Sequence, residues 1–261
     1  MKNRFIFGPN IKMPNYSYRN CNSYTEYNYL KPGLSTFLKR RPLEIVLQLT
    51  SHFFNKVNVI DYGCGDGPLI PSESKYYKNT VGVDINPKFI EYAKIVKKVA
   101  NLKNITLICS QNKSINEIKK IMPKKKYQIL LLIEMLEHVG LNWKSMYIDK
   151  ILFLRKIRKL IEPKGLIIIT VPKMTGISLF LQKIGSFFFK TDPLNIPFLD
   201  FLKSVFLSYS TTNLEKLWKP LVAHIGFNEK KLESYLKIDF DFVCKYSDLF
   251  TQVFVLKSKA N

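Results

Sequence analysis

A chain of 261 residues with 46% apolar and 23% charged residues can bury one substantial core and lacks the composition of a disordered or low-complexity protein. Its cysteines, Cys21, Cys64, Cys109 and Cys244, show neither metal-ligand spacing nor disulfide-scaffold density, no stretch has eighteen uncharged apolar residues in a row, and the amino terminus shows no signal-peptide pattern; a reducing, cytoplasmic setting is expected. The net charge of +21 favours anionic surroundings, RNA and acidic lipid among them, but it is spread mainly over lysine and fixes no chemistry.

Residues 1–54 read as an Asn- and Tyr-rich arm followed by a helix over Leu34 to Phe54, interrupted near Pro42. From Val57 short apolar runs alternate with longer mixed segments, the pattern of buried parallel strands joined by crossover helices. Strands are expected at Val57 to Tyr62, Thr80 to Asp84, Ile105 to Cys109, Tyr127 to Glu134 and Gly165 to Val171. Between them fall a short irregular helix in Pro68 to Tyr77, a helix over Pro87 to Val99 capped by Asn86, and helices at Lys113 to Met122 and Tyr147 to Ile161. A Leu- and Phe-rich segment, 173–213, follows, then a helix from about Leu214 to His224. Alternation in Phe227 to Tyr235 and Phe250 to Leu256 predicts an antiparallel pair closing the sheet.

The strongest chemical signal is Val59-Ile60-Asp61-Tyr62-Gly63-Cys64-Gly65-Asp66-Gly67, a hydrophobic strand delivering a glycine loop to the carboxyl edge of a parallel sheet, where open α/β folds bind ligands. Asp61 offers a negative group suited to an ammonium, and the loop amides suit a carboxylate. Val81-Gly82-Val83-Asp84 then ends a second strand in an acid placed to accept hydrogen bonds from both hydroxyls of a ribose. The spacing would also suit a dinucleotide-binding unit, but Gly67 is followed by Pro68-Leu69-Ile70-Pro71 rather than by a long helix whose amino terminus could receive a pyrophosphate.

Asp61 to Gly67 resembles the first motif of class I S-adenosylmethionine-dependent methyltransferases, and Val81 to Pro87 resembles their ribose motif. Glu134-Met135-Leu136-Glu137-His138-Val139 and Glu162-Pro163-Lys164-Gly165 are similar to the post-strand motifs of the ubiquinone-biosynthesis O-methyltransferases. The resemblance covers roughly 57–172. It implies an α/β, Rossmann-like, seven-stranded and mostly parallel sheet with an antiparallel terminal hairpin and a helical cap insertion. One methyltransferase domain is expected: an arm and helix over 1–54, a cofactor-binding core over 57–172, an acceptor cap over 173–213, and sheet completion over 214–261. By the same resemblance Asp61 holds the methionine end of the cofactor, Gly63, Gly65 and Gly67 line it, Asp84 binds the ribose and Ile85 meets the adenine. The family often has an acid after the third strand; here stand Cys109-Ser110-Gln111-Asn112, so Ser110 or Gln111 is expected to give a neutral hydrogen bond.

A helical turn after the fourth strand would let Glu134, Glu137 and His138 converge on one side of the sheet edge. Three roles are open to them: holding the turn, moving the acceptor's proton through His138, or binding a divalent metal, the last suggested by the resemblance. Segment 173–213 is expected to form an apolar acceptor pocket and to touch an anionic membrane at its periphery, or else to pack its phenylalanines onto the sheet. The expected activity is methyl transfer to oxygen of a small hydrophobic or lipid-like acceptor. The alternatives are an RNA methyltransferase, for which no RNA-binding module is visible, and a catalytically silent cofactor-binding protein.

Overall fold

The computed structural model describes residues 5–140, 142–188, 197–217 and 226–259. Alternate β-strands and helices build a seven-stranded sheet in the order β3-β2-β1-β4-β5-β7-β6. The strands are β1 (Asn58–Tyr62), β2 (Asn79–Asp84), β3 (Ile105–Cys109), β4 (Ile129–Ile133), β5 (Leu166–Pro172), β6 (Phe240–Ser247) and β7 (Thr251–Ser258). β1 pairs in parallel with β2 and β4, and β2 with β3. β6 and β7 form the antiparallel hairpin. The sheet is therefore the mostly parallel, Rossmann-like arrangement with a terminal hairpin that the sequence predicts.

The described chain divides into two compact units, one comprising 1–133 with 156–168, the other 134–155 with 169–261. In the first, parallel strands buried on both faces require continuous apolar runs, and Val59, Ile60, Val81, Val83, Leu130 and Leu131 are all buried. Its helices are α1 (Leu34–Leu49), α2 (Ile70–Tyr76), α3 (Pro87–Val99) and α4 (Ile115–Ile121). α3 begins where Asn86 accepts the amide of Lys88 at 3.0 Å, the expected cap, and buries Ile90, Ala93 and Val96. α4 starts on a reciprocal capping box between Ser114 and Glu117.

The second unit holds α5 (Met146–Ile157), α6 (Gly176–Phe188), α7 (Phe198–Phe206), α8 (Thr212–Lys216) and α9 (Glu229–Asp239). Two expectations are corrected. α1 runs through Pro42 without a break, its proline buried within the helix. More consequentially, most of Phe227 to Tyr235 is helix, not strand. Asn228 caps α9 by accepting the amides of Lys230 and Lys231, Leu232 and Leu236 are buried one turn apart, and Phe227 is buried just ahead of the cap. The partner of β7 is instead β6, which lies immediately after α9, with a register shift between Phe242 and Cys244. The expected helix from Leu214 is seen as the shorter α8; residues 218–225, with His224, lie outside the described residues.

Candidate functional site

In the first unit, Asp61, 4% exposed, is the penultimate residue of β1, and after Tyr62 the chain turns through the glycine loop into α2. The amides of Gly63 and Cys64 both donate to the carbonyl of Val83 on β2, at 2.7 and 3.1 Å, so the loop is tied to the neighbouring strand. Gly65 has a φ of +59° and its amide donates to Asp84 Oδ2 at 2.8 Å; an added Cβ would meet nothing closer than Pro68 Cδ at 3.9 Å. Open space and left-handed backbone together leave a cradle that a ligand can enter. Gly67, with a φ of +91°, is packed instead: a Cβ there would stand 2.8 Å from Ile70 Cδ1.

Asp84 Oδ1 accepts the amide of Asn86 at 2.8 Å, so this carboxylate spans the loop and the start of α3. Burial holds its pKa above the usual carboxylate range. Asp61 is raised to about 7, chiefly because it is desolvated and secondly because Asp84 is near. Ile85, next in the chain, is 70% exposed, an apolar surface at the loop's edge. Ser110 is half-buried and pairs with the phenol of Tyr62, while Gln111 is exposed. The structure thus brings together Asp61, Gly63, Gly65, Asp84 and Ile85, with Ser110 tied through its own amide to the carbonyl of Asp84 at 2.8 Å.

Two contributors to this site went unread in the sequence. Asp66, 1% exposed, is the anchor of the amino-terminal arm: it accepts the hydroxyl of Thr25 at 2.5 Å, the amide of Thr25 at 3.0 Å and the phenol of Tyr16 at 3.4 Å. The arm then packs Tyr16 on Phe89 and Tyr92 of α3 and encloses with α3 a cavity of about 480 Å³ beside Asn86 and Lys88. The other is Glu73 on α2, wholly buried, with neither carboxyl oxygen in a hydrogen bond. A threonine or tyrosine distant in sequence from a glycine loop carries no local signal. A lone glutamate in a short, polar-looking helix reads as solvated.

In the second unit, Glu134 sits just after β4 with a φ of +49°. Its amide donates to Thr170 Oγ1 at 3.0 Å and the same hydroxyl donates to Glu134 Oε1 at 2.9 Å, a reciprocal clasp that holds the unfavourable backbone. The next turn, Leu136–His138, is 3-10 helical. It places the Nε2 of His138 3.8 Å from Glu137 Oε1, with the histidine side chain 37% exposed and that of the glutamate 1%. Glu134 and Glu137 are near enough to act on each other. Burial first, and then Glu137, raise Glu134 well above the carboxylate range, while burial raises Glu137 to about 8 against the opposing charge of Lys150. Lys150, itself fully buried, donates to the carbonyl of Val139 at 2.6 Å. Glu137 thus neighbours each of the other two expected residues, with His138 facing solvent, Glu134 partly buried and Glu137 withdrawn. Among the described residues no group of three or more His, Cys, Asp or Glu side chains is placed to hold a metal ion.

The described part of segment 173–213 holds α6, α7 and the start of α8, with Phe180 of α6 stacked on Phe201 of α7 at 6.5 Å, while 189–196 lie outside the described residues. α7 is inside out. Asp200 and Ser204 are buried, accepting from Asn213 and donating to the carbonyl of Tyr209 respectively, whereas Phe198, Leu199 and Phe206 are 70, 68 and 78% exposed.

A strand-tethered glycine loop, an acid ending the second strand and a reversed hairpin on the sheet define the Rossmann-like class that binds S-adenosylmethionine. Residues 29–219 match the family model described as a methyltransferase domain, and the chain belongs to that family. Among curated proteins it is similar to the ubiquinone biosynthesis O-methyltransferase of Bradyrhizobium diazoefficiens, 26% identical over 130 residues covering 50% of this chain and 46% of that one. The protein of the same description from Rickettsia akari is 27% identical over 208 residues, covering 77% and 76%. The chain spans about half the length of the first of these relatives. Among solved structures, a protein from Pyrococcus horikoshii OT3 superposes with a TM-score of 0.56 at 15% identity over 90% of this chain and 96% of that one. A SAM-dependent methyltransferase from Aquifex aeolicus gives 0.51 at 15% over 83% and 91%. At such identities these two likenesses speak to the fold.

Proposed function

We propose that the chain transfers the methyl group of S-adenosylmethionine to an oxygen of a small hydrophobic or lipid-like acceptor. The exposed apolar residues of α7 carry the acceptor half of this reading. A helix that buries an aspartate and a serine and turns Phe198, Leu199 and Phe206 outward leaves apolar surface whose burial against an acceptor or a lipid surface is favourable by about 25 cal/mol per Å². The cofactor half rests on the cradle at Gly65 and on the apolar, exposed Ile85 beside it.

In this reading Asp61 faces the ammonium of the cofactor, the amides lining Gly63 and Gly65 face its carboxylate, Asp84 accepts from the ribose hydroxyls, and Ile85 covers one side of the adenine. Ser110 or Gln111 supplies the neutral hydrogen bond. The bound cofactor supplies a methyl group already activated by its sulfonium, so alignment and exclusion of water make up most of the protein's task. His138, the exposed member of its trio, takes the proton of the acceptor hydroxyl, and Glu137 and Glu134 orient that turn. Among the described residues no three His, Cys, Asp or Glu side chains are grouped to hold a metal ion, and the proton transfer assigned to His138 needs none. No described helix is long and apolar enough to cross a membrane. Contact with lipid would be peripheral, by the α6–α7 face and the lysine-rich surface of a protein acting in the cytoplasm.

Mass spectrometry of cell extracts incubated with the protein and methyl-labelled cofactor tests the reading, with lipid, small-molecule, RNA and protein fractions separated. Label in the lipid or small-molecule fraction, insensitive to a chelator and accompanied by flotation on anionic vesicles, is expected. Label confined to RNA would replace this acceptor with the RNA alternative, and cofactor binding without transfer to any fraction would leave a silent binding protein.

A further inference from the structure

Thr25 stands immediately before the π-helical turn Glu26–Leu30, a place from which a threonine hydroxyl ordinarily caps its own turn. It makes no such bond. The hydroxyl instead donates to Asp66 Oδ1 at 2.5 Å and the Thr25 amide donates to Asp66 Oδ2 at 3.0 Å, so one residue of the arm holds both oxygens of a carboxylate in the glycine loop. The phenol of Tyr16 adds a third bond to Oδ2 at 3.4 Å and itself accepts the amide of Tyr24. Asp66 lies between Gly65 and Gly67, both in left-handed backbone. The other long-range hydrogen bonds described for the loop all run to β2: the Gly63 and Cys64 amides to Val83, and the Gly65 amide to Asp84. The arm is therefore what fixes the loop from its other side. A loop so rich in glycine has much backbone freedom to lose, and whatever orders it before a ligand arrives lowers the cost of binding.

We propose that Thr25 is a positioning residue for the cofactor cradle: by clasping Asp66 it holds Gly65 in the shape that receives the cofactor, so that docking of the arm and affinity for the cofactor are one coupled equilibrium. The inference rests on the cofactor reading above. The clasp acts one peptide away from the Gly65 amide, which is bound to the proposed ribose acid Asp84, so a displaced Asp66 disturbs the cradle directly. Coupling is reciprocal: the factor by which the docked arm raises cofactor affinity is the factor by which bound cofactor favours the docked arm. Elsewhere the arm is fastened independently of the loop. The Ile6 amide donates to Ser72 Oγ on α2 at 2.7 Å, and the Ile11 amide donates to the Tyr92 phenol on α3 at 3.1 Å. Loss of the Thr25 hydroxyl alone thus loosens the clasp while the rest of the arm keeps its place.

Calorimetry of S-adenosylhomocysteine binding to the full chain compares the wild type with Thr25→Ser and Thr25→Val. Thr25→Ser keeps the hydroxyl and should bind within about threefold of wild type, whereas Thr25→Val keeps the shape without the donor and should bind about tenfold more weakly or worse. The reciprocal measurement needs no variant. Arg19 is exposed between Tyr16 and Thr25, and saturating S-adenosylhomocysteine should slow tryptic cleavage after it by about fivefold or more, an effect that a threonine serving the fold alone would not produce. Wild-type affinity in Thr25→Val, or cleavage unchanged by a ligand shown to bind, would overturn the proposal, and the cleavage result decides it even where Thr25→Val does not fold. If the wild type binds nothing, the cofactor reading falls. Hydrogen exchange in the unliganded protein then tests the clasp by itself: the hydrogen-bonded amides of Gly65 and Gly67 should exchange about fivefold faster or more in Thr25→Val than in Thr25→Ser, with those of β2 unchanged. Equal rates there refute the inference.

Discussion

Replacing Gly67 by alanine separates the conformational from the packing role of the glycine loop. At a φ of +91° an L-residue is strained by about 1–3 kcal/mol. The new Cβ would also stand 2.8 Å from Ile70 Cδ1 and 3.4 Å from Ala93 Cβ, in a fully buried corner where over-packing costs about 1–3 kcal/mol more. The sum, about 2–6 kcal/mol, corresponds to a melting temperature lower by about 4–24 °C at 2–4 °C per kcal/mol. Gly65→Ala is the internal control. Its φ of +59° carries strain of about 1–2 kcal/mol but its Cβ would have free space, so the stability loss should be small while cofactor affinity collapses as the cradle fills. Ile70→Val removes the very atom that Gly67→Ala would strike, at its own cost of about 0.5–1.5 kcal/mol. Urea denaturation of the two single variants and the double variant gives the coupling energy, expected at about 1 kcal/mol or more in favour of the double. A Gly67→Ala protein no less stable than Gly65→Ala, or a coupling energy of zero, would refute the packing argument.

Asp84→Ala removes the acceptor of two 2.8 Å backbone hydrogen bonds, each worth about 1.5–3 kcal/mol to a charged group, along with the proposed ribose contacts; calorimetry should show cofactor affinity falling at least a hundredfold, and Asp84→Asn, which keeps an acceptor oxygen, should fall less. Asp66→Ala unfastens Thr25 and Tyr16 together, so limited proteolysis is expected to cut within residues 5–30 at a rate raised tenfold or more, with the remainder of the chain resistant. His138→Ala should lower kcat for the labelled acceptor at least a hundredfold with KM and melting temperature little changed, its side chain being 37% exposed; an equal loss of stability would assign His138 to the fold instead.

The cofactor end of this protein was legible in one dimension because it is made of neighbours. Asp61 lies near the end of one strand, Gly63, Gly65 and Gly67 follow it in a single loop, Asp84 ends the next strand, and the buried parallel strands that position them announce themselves as short, largely apolar runs. The cap of α3 by Asn86 is equally local, and it was read to the residue. Period alone failed where helix and strand patterns overlap over a few residues: Phe227 to Tyr235 alternates well enough for a strand, but Asn228 caps a helix there and the hairpin moves to β6 and β7.

What tertiary structure alone decided lies in contacts between residues far apart in the chain. Nothing near Asp66 in sequence says that Thr25 and Tyr16 will reach it across 41 and 50 residues, and nothing in Ile70–Tyr76 says that Glu73 faces inward beside an ionisable group of β1. The sense of α7 is of the same kind. Its apolar residues are plain in the sequence, but which face turns out is set by whether Asp200 and Ser204 find hydrogen-bond partners inside, and they do. Local propensity and spacing determine the loop that receives the cofactor; burial, which depends on the whole fold, determines which of its acids carry charge.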